Sequence, residues 1–211
     1  MKTTNLSRVL LCCLVGVLTV TALSAYVLLS PRRTWDSAPH IIVDSRGQSS
    51  VTDGDGGATR TVNAITSSQA WNGAGAGTVV TAVKGSVASW QLGDGIPMLN
   101  FRDPERVCNG NCLAATFTGF YEPRGDGTYR IFDADVVTSG SKRIAWTSAG
   151  EPDGCSGEYY IEGVMVHEVG HVLGIGHTDV TGATMYPSVS ACNNGPATTE
   201  ADDEAALNDL Y

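Results

Sequence analysis

The chain has 211 residues, 13 Lys+Arg against 22 Asp+Glu, a formal net charge of −9 and 42% hydrophobic residues. So acidic a balance argues against nucleic acid or anionic membrane surfaces as partners. The length suffices for one domain with its own core, and no internal repeat is visible.

The first eight residues carry Lys2 and Arg8, and Val9–Ser30 is uncharged and mostly apolar. A basic start followed by an apolar run is the pattern of an export signal, so residues 1–30 are expected to lie outside the folded domain. Ala22-Leu23-Ser24 offers small residues at the −3 and −1 positions of a cleavage site, which favours a cleaved signal peptide. The apolar stretch is also long enough to span a bilayer as an uncleaved N-terminal anchor. Either way the protein is expected outside the cytoplasm, secreted (extracellular or periplasmic) or anchored. Without these residues the balance is 11 basic against 22 acidic, a formal −11.

Beyond Cys12 and Cys13 the cysteines are Cys108, Cys112, Cys155 and Cys192, an even set suited to two disulfides in an oxidising compartment. Three pairings are open. Cys108 and Cys112 flank Asn109-Gly110-Asn111 and can close a small turn, which would leave Cys155 for Cys192. A second metal site is the alternative, although the C-x-x-C spacing of a zinc ribbon is lacking.

Along the chain, 31–75 reads as an extended lead-in with a turn at Asp53-Gly54-Asp55-Gly56-Gly57. Ala64 stands where an EF-hand needs its twelfth-position Glu. Val79, Val83, Val87 and Trp90 recur at helical spacing and predict an amphipathic helix over 78–90. Met98–Phe101, Leu113–Phe117 and Tyr129–Phe132 predict strands, with a turn at Gly125-Asp126-Gly127. Ser156 can cap a following helix with Glu158 in its first turn, and Thr199 can cap a last helix with an apolar side of Ala206, Leu207 and Leu210.

Between those helix starts lies the run His167-Glu168-Val169-Gly170-His171-Val172-Leu173-Gly174-Ile175-Gly176-His177, or H-E-x-x-H-x-x-G-x-x-H. Residues four apart on a helix point roughly 40° apart, so His167 and His171 can share one metal with Glu168 in the same arc. The third ligand cannot come from the next helical turn. Gly174 tolerates the left-handed backbone that ends a helix, so the chain can curl back and bring in His177. Three ligands plus an open position mark a catalytic zinc, and Glu168 is placed as its general base. Three of the chain's four histidines sit in this run.

Eight residues after His177 comes Met185, in the run Ala183-Thr184-Met185-Tyr186-Pro187. A methionine turn after this long histidine motif is the metzincin signature, and with M-Y-P the chain resembles the matrixin-like branch of those metallopeptidases. The resemblance is closest over 158–187 and extends loosely from about Ala82 to the C-terminus. It implies an α+β, metzincin-like zincin domain over 76–211: a twisted, mostly parallel sheet with an active-site helix and a C-terminal helix. It also implies that Met185 packs beneath the histidines without binding zinc, and that the strand near Leu113–Thr116 borders the cleft. Asp133-Ala134-Asp135 resembles the acidic segment that helps bind calcium in matrixins, the alternative being solvated carboxylates on an edge strand or turn. Asp202 and Asp203 fall where the family carries an acidic pair that can receive a mature N-terminal ammonium, and helix-start solvation explains them equally well.

Three departures qualify the likeness. Only His40 lies outside the catalytic motif, so a second, structural zinc is not expected. No P-R-C-G latency run is present, and Thr178 follows the third histidine where matrixins usually have Ser. The expected function is a monomeric zinc endopeptidase acting on protein or peptide substrates, with contact to a membrane only through an uncleaved anchor. The alternatives are an inactive zinc-binding adhesion or interaction module and a hydrolase of non-peptide amides.

Overall fold

In a computed structural model, the structure describes residues 25–211 apart from 76, 78, 88 and 152. The readings placed on residues 1–24, the cleavage site and Cys12 and Cys13 among them, lie outside the described residues. Eight strands and three α-helices follow in order: β1 Arg33–Thr34, β2 His40–Asp44, α1 Ala58–Ile65, β3 Thr81–Gly85, β4 Met98–Asn100, β5 Ala114–Pro123, β6 Tyr129–Thr138, β7 Trp146–Thr147, β8 Tyr159–Tyr160, α2 Ile161–Val172 and α3 Ala201–Leu210. Six strands form one sheet in the order β1-β6-β4-β2-β3, with β5 added along β6. Every pairing in it is parallel except β5 with β6. The fold is thus α+β with a mostly parallel sheet, and β5 is its one antiparallel strand.

One sheet face packs on the helices. Ile41 and Val43 of β2, Leu99 of β4 and Ala134 and Val136 of β6 join Ile161, Met165, Val169 and Val172 of α2 in a single core. Helix α2 is buried on almost every side, as an apolar helix at the centre of a domain must be. Side chains alternate across a strand, so Asp133 and Asp135 of β6 project to the opposite face.

Several expectations are corrected. The segment 31–75 is no lead-in, because β2 pairs with both β3 and β4 and α1 packs on α2. Residues 25–30 likewise belong to the domain: Leu28 bridges Ile175 and packs on the core. Among the described residues of 78–90 the structure holds strand β3, Thr81–Gly85, and no helix. A spacing of four is even, so Val79, Val83 and Val87 suit one face of a strand as well as one face of a helix, and β-branched residues favour the strand. Helix α2 begins with Tyr160 as its N-cap, which displaces Ser156; Glu162, rather than Glu158, occupies its first turn. The preceding residues are taken by β8 and by a disulfide at Cys155. Helix α3 is capped by Glu200, whose amide donates to Asp203 at 2.9 Å, while the Thr199 amide goes to Gln69 O. The strands predicted over 113–117 and 129–132 run on to Pro123 and Thr138, joined by the predicted turn.

Candidate metal centre and cleft

Helix α2 ends as the sequence requires. Gly174 has φ +99°, its amide donates to His171 O at 3.0 Å, and the Ile175 amide donates to Gly170 O at 2.9 Å. This paired ending turns the chain sharply. A Cβ on Gly174 would lie 2.3 Å from Arg33 O, so the close approach of β1 forbids a side chain as firmly as the backbone angle does. Residues 25–30 brace the same turn, since the Leu29 amide donates to Gly174 O and the Gly176 amide to Val27 O.

Past that turn His177 reaches back to the helix. Its Nε2 lies 3.3 Å from His167 Nε2 and 3.1 Å from His171 Nε2. His167 Nδ1 donates to Thr184 O at 2.6 Å and His171 Nδ1 to Ile175 O at 2.8 Å. With the proton on Nδ1, Nε2 of His167 and of His171 each presents a lone pair, and His177 Nε2 lies beside both. They converge because they suit a cation: tetrahedral zinc–nitrogen bonds of ~2.0–2.1 Å place ligand atoms ~3.3 Å apart. Burial also lowers the His167 and His171 pKa values to about 4, which keeps both rings neutral as ligands. The residues fit a zinc ion.

The shell behind the ligands runs to the last helix. Asp203, fully buried, accepts from the Thr184 amide at 2.8 Å, the Met185 amide at 3.0 Å and the Glu200 amide. It holds the loop whose Thr184 carbonyl orients His167. Sequence reasoning grouped Asp203 with Asp202 and missed this role; the short helix-start spacing from Glu200 was the available signal. Asp202 Oδ1 instead accepts from the Ala25 amide at 3.1 Å. Met185 lies beneath α2, where a Cβ on Gly170 would come within 2.2 Å of its sulfur and 2.6 Å of Trp71. The glycine inside the H-E-x-x-H run is therefore there for packing. Trp71, also missed, is wholly buried and donates Nε1 to Val166 O.

Glu168 is buried at the floor of a cavity of about 520 Å³, also lined by Leu113, Ile144, Tyr159, Val164 and Val189. Burial pushes its carboxyl pKa up, opposed by His171 and by a hydroxyl bond from Thr116. Ser188, Val189 and Pro196 of the loop after the methionine turn border this cavity. The disulfides are Cys108–Cys112 and Cys155–Cys192, the second tying the approach to α2 to that loop.

The acidic pair is built differently. Asp133 and Asp135 are fully buried within β6, which overturns the reading of solvated carboxylates at an edge or turn. One oxygen of each accepts a loop amide, Gly93 to Asp133 at 2.5 Å and Gln91 to Asp135 at 3.1 Å, while each Oδ1 has no partner. Burial, followed by repulsion from Asp133 and Asp94, raises the Asp135 pKa to about 7. Asp94, Asp133 and Asp135 do not bring three ligand atoms within 4.8 Å of one another, as the histidines do. Asp53 and Asp55 brace α1: Asp53 accepts the Gly57 amide and Asp55 the Thr59 amide.

Comparison with known proteins adds a family. The matrixin family profile matches residues 98–211. The chain is 41% identical over 51 residues to Metalloendoproteinase 4-MMP of Arabidopsis thaliana, covering 24% of this chain and 15% of that protein. It is 39% identical over 51 residues to Metalloendoproteinase 5-MMP of the same plant, covering 24% and 14%. Matrix metalloproteinase-2 of Drosophila melanogaster is 34% identical over 93 residues, covering 44% and 11%. The chain thus spans less than one-sixth of the length of each of these relatives.

Proposed function

The chain belongs to the matrixin family, and on that premise we propose that it is a secreted, monomeric zinc endopeptidase with Glu168 as its general base. The observation that carries this reading is the meeting of three imidazole Nε2 atoms, two with Nδ1 locked by a carbonyl, beside a buried carboxylate that lines an open cavity. Zinc on His167, His171 and His177 would supply Lewis acidity and lower the pKa of water from ~15.7 toward ~7. Glu168 takes the proton of the attacking water and passes it to the leaving amine, for which a carboxyl raised by burial is suited. An extended peptide adds to the free edge of β5. Its side chain beyond the scissile bond enters the cavity, where Leu113, Ile144, Val164 and Val189 favour an apolar residue.

Secretion is supported by the apolar N-terminal run and the even cysteine set. Cleavage after Ser24 leaves Ala25 first, and its nitrogen, now 3.1 Å from Asp202 Oδ1, would become an ammonium paired with that carboxylate. Among the described residues no helix is long and apolar enough to cross a membrane. Calcium is the proposed second cation, supported by the two orphaned oxygens of Asp133 and Asp135.

The test pairs metal analysis with cleavage of an unfolded protein. Glu168→Ala is expected to keep one zinc per chain and to lose about 10²–10⁴-fold in kcat. Full proteolysis in that variant would sink the mechanism, and an adhesion module would keep its function.

A further inference from the structure

The general base is held from outside its own helix. Thr116, on β5, places Oγ1 2.6 Å from Glu168 Oε2 and 3.2 Å from Glu168 O. A hydroxyl carries one proton, and the two distances decide where it goes. The shorter lies in the ~2.5–2.7 Å range of a hydroxyl bonded to a carboxylate, while the longer exceeds the ~3.0 Å limit for ordinary O–H···O bonds. Among the described residues this is the one hydrogen bond that the Glu168 carboxylate makes. Oε2 is therefore occupied and Oε1 remains for the water.

We propose that Thr116 is a positioning residue: its hydroxyl fixes the Glu168 carboxylate in the orientation that accepts the proton. The proposal rests on the peptidase reading and adds a residue to it. A glutamate has three side-chain rotors, and proton abstraction demands that one oxygen be held within hydrogen-bond reach of the water. A bond from a rigid strand supplies that restraint better than one from a mobile loop. Thr116 sits within the β5–β6 ladder opposite Val136, and its β-branch restricts the rotor that aims the hydroxyl. The preceding Leu113, Ala114 and Ala115 carry no side-chain hydroxyl that could replace it. Two residues on, Thr118 Oγ1 accepts from Arg33 Nη1 at 2.8 Å, so a second hydroxyl on the same strand has a different partner and provides a built-in control.

The experiment compares T116V, T116S and T118V with wild type, all loaded with zinc. In T116V kcat on an unfolded protein is expected to fall about 10–100-fold, the range typical of supporting hydrogen bonds at metal sites, with KM and zinc content unchanged. T116S restores most of kcat, and T118V matches wild type. Should T116V not fold, T116A carries the same expectation. Wild-type kcat in the hydroxyl-free variant, or no recovery in T116S, overturns the positioning role and leaves the peptidase reading intact. A zinc-loaded wild type that cleaves nothing overturns the peptidase reading instead. A second readout then tests the contact by itself: in metal-free protein the Tm shifts of T116V and E168A should be non-additive, and additive shifts overturn the bond.

Discussion

The histidine cluster and the aspartate pair of β6 are both buried groups of potential ligands, and they are built on opposite plans. His167 and His171 each spend the ring nitrogen that faces the protein on a backbone carbonyl, and the nitrogens left over converge. Asp133 and Asp135 each spend one oxygen on a loop amide, and the oxygens left over have no partner and gather no third ligand. What distinguishes a prepared metal centre is the shell that uses up the other bonds, down to Asp203 behind Thr184. A count of ligand types along the chain does not show this.

The comparison can be broken most forcefully at Asp203. Asp203→Asn sets an NH2 group against backbone amides that now donate to the carboxylate. Zinc affinity should fall about 10–100-fold by chelator competition, and unfolding free energy by about 1–3 kcal/mol. Unchanged affinity would mean that the histidines need no such support. Gly170→Ala comes next: the new methyl meets Met185 and Trp71, so denaturant unfolding should show a loss of about 1–3 kcal/mol from overpacking.

Smaller effects separate the clusters by pH. The metal-free histidines titrate at about 4 in the folded chain against an ordinary 6.5. Between those values the unfolded chain binds more protons, so their contribution to stability is complete above 6.5 and is lost as pH falls through 4. Asp135 has the opposite sign. Its pKa of about 7 against an ordinary 3.8 gives stability that is complete below 3.8 and lost as pH rises through 7. In chelator, the Tm of D135N minus that of wild type should therefore climb from pH 4 to 7 and stay flat above. Millimolar calcium at pH 8 should raise the wild-type Tm and leave D135N unmoved. A calcium shift preserved in D135N would remove the second cation from β6.

The histidine centre was legible because its geometry is local. A four-residue spacing, a glycine at the helix end and a third histidine six residues after the second name the candidate ligands, and the structure brings His167, His171 and His177 together in that way. Met185 was legible from its distance and the M-Y-P run together, through the family resemblance that they carry. The supporting shell was not. Asp203 lies 36 residues from His167, Thr116 lies 52 residues before Glu168, and neither shares a local pattern with its partner. Likewise β2 and β3 escaped because parallel strands meet only through crossovers, and the spacing of Val79, Val83 and Val87, of which Val83 lies in β3, satisfies two periods at once. The β5–β6 hairpin, whose partners are neighbours in sequence, was read correctly in outline.

One feature of the helix-end turn bears on how the molecule assembles. Leu28 pairs with Ile175 across 147 residues, and the loop that orients His167 depends on Asp203, close to the C-terminus. Contacts of such long sequence separation form late, because their loops must close first. A chain made from its N-terminus exposes the whole histidine motif before α3 has been synthesised. A nascent or C-terminally clipped chain therefore carries all three ligands without the frame that aims them. Tight metal capture then reports that α3 has been made and docked.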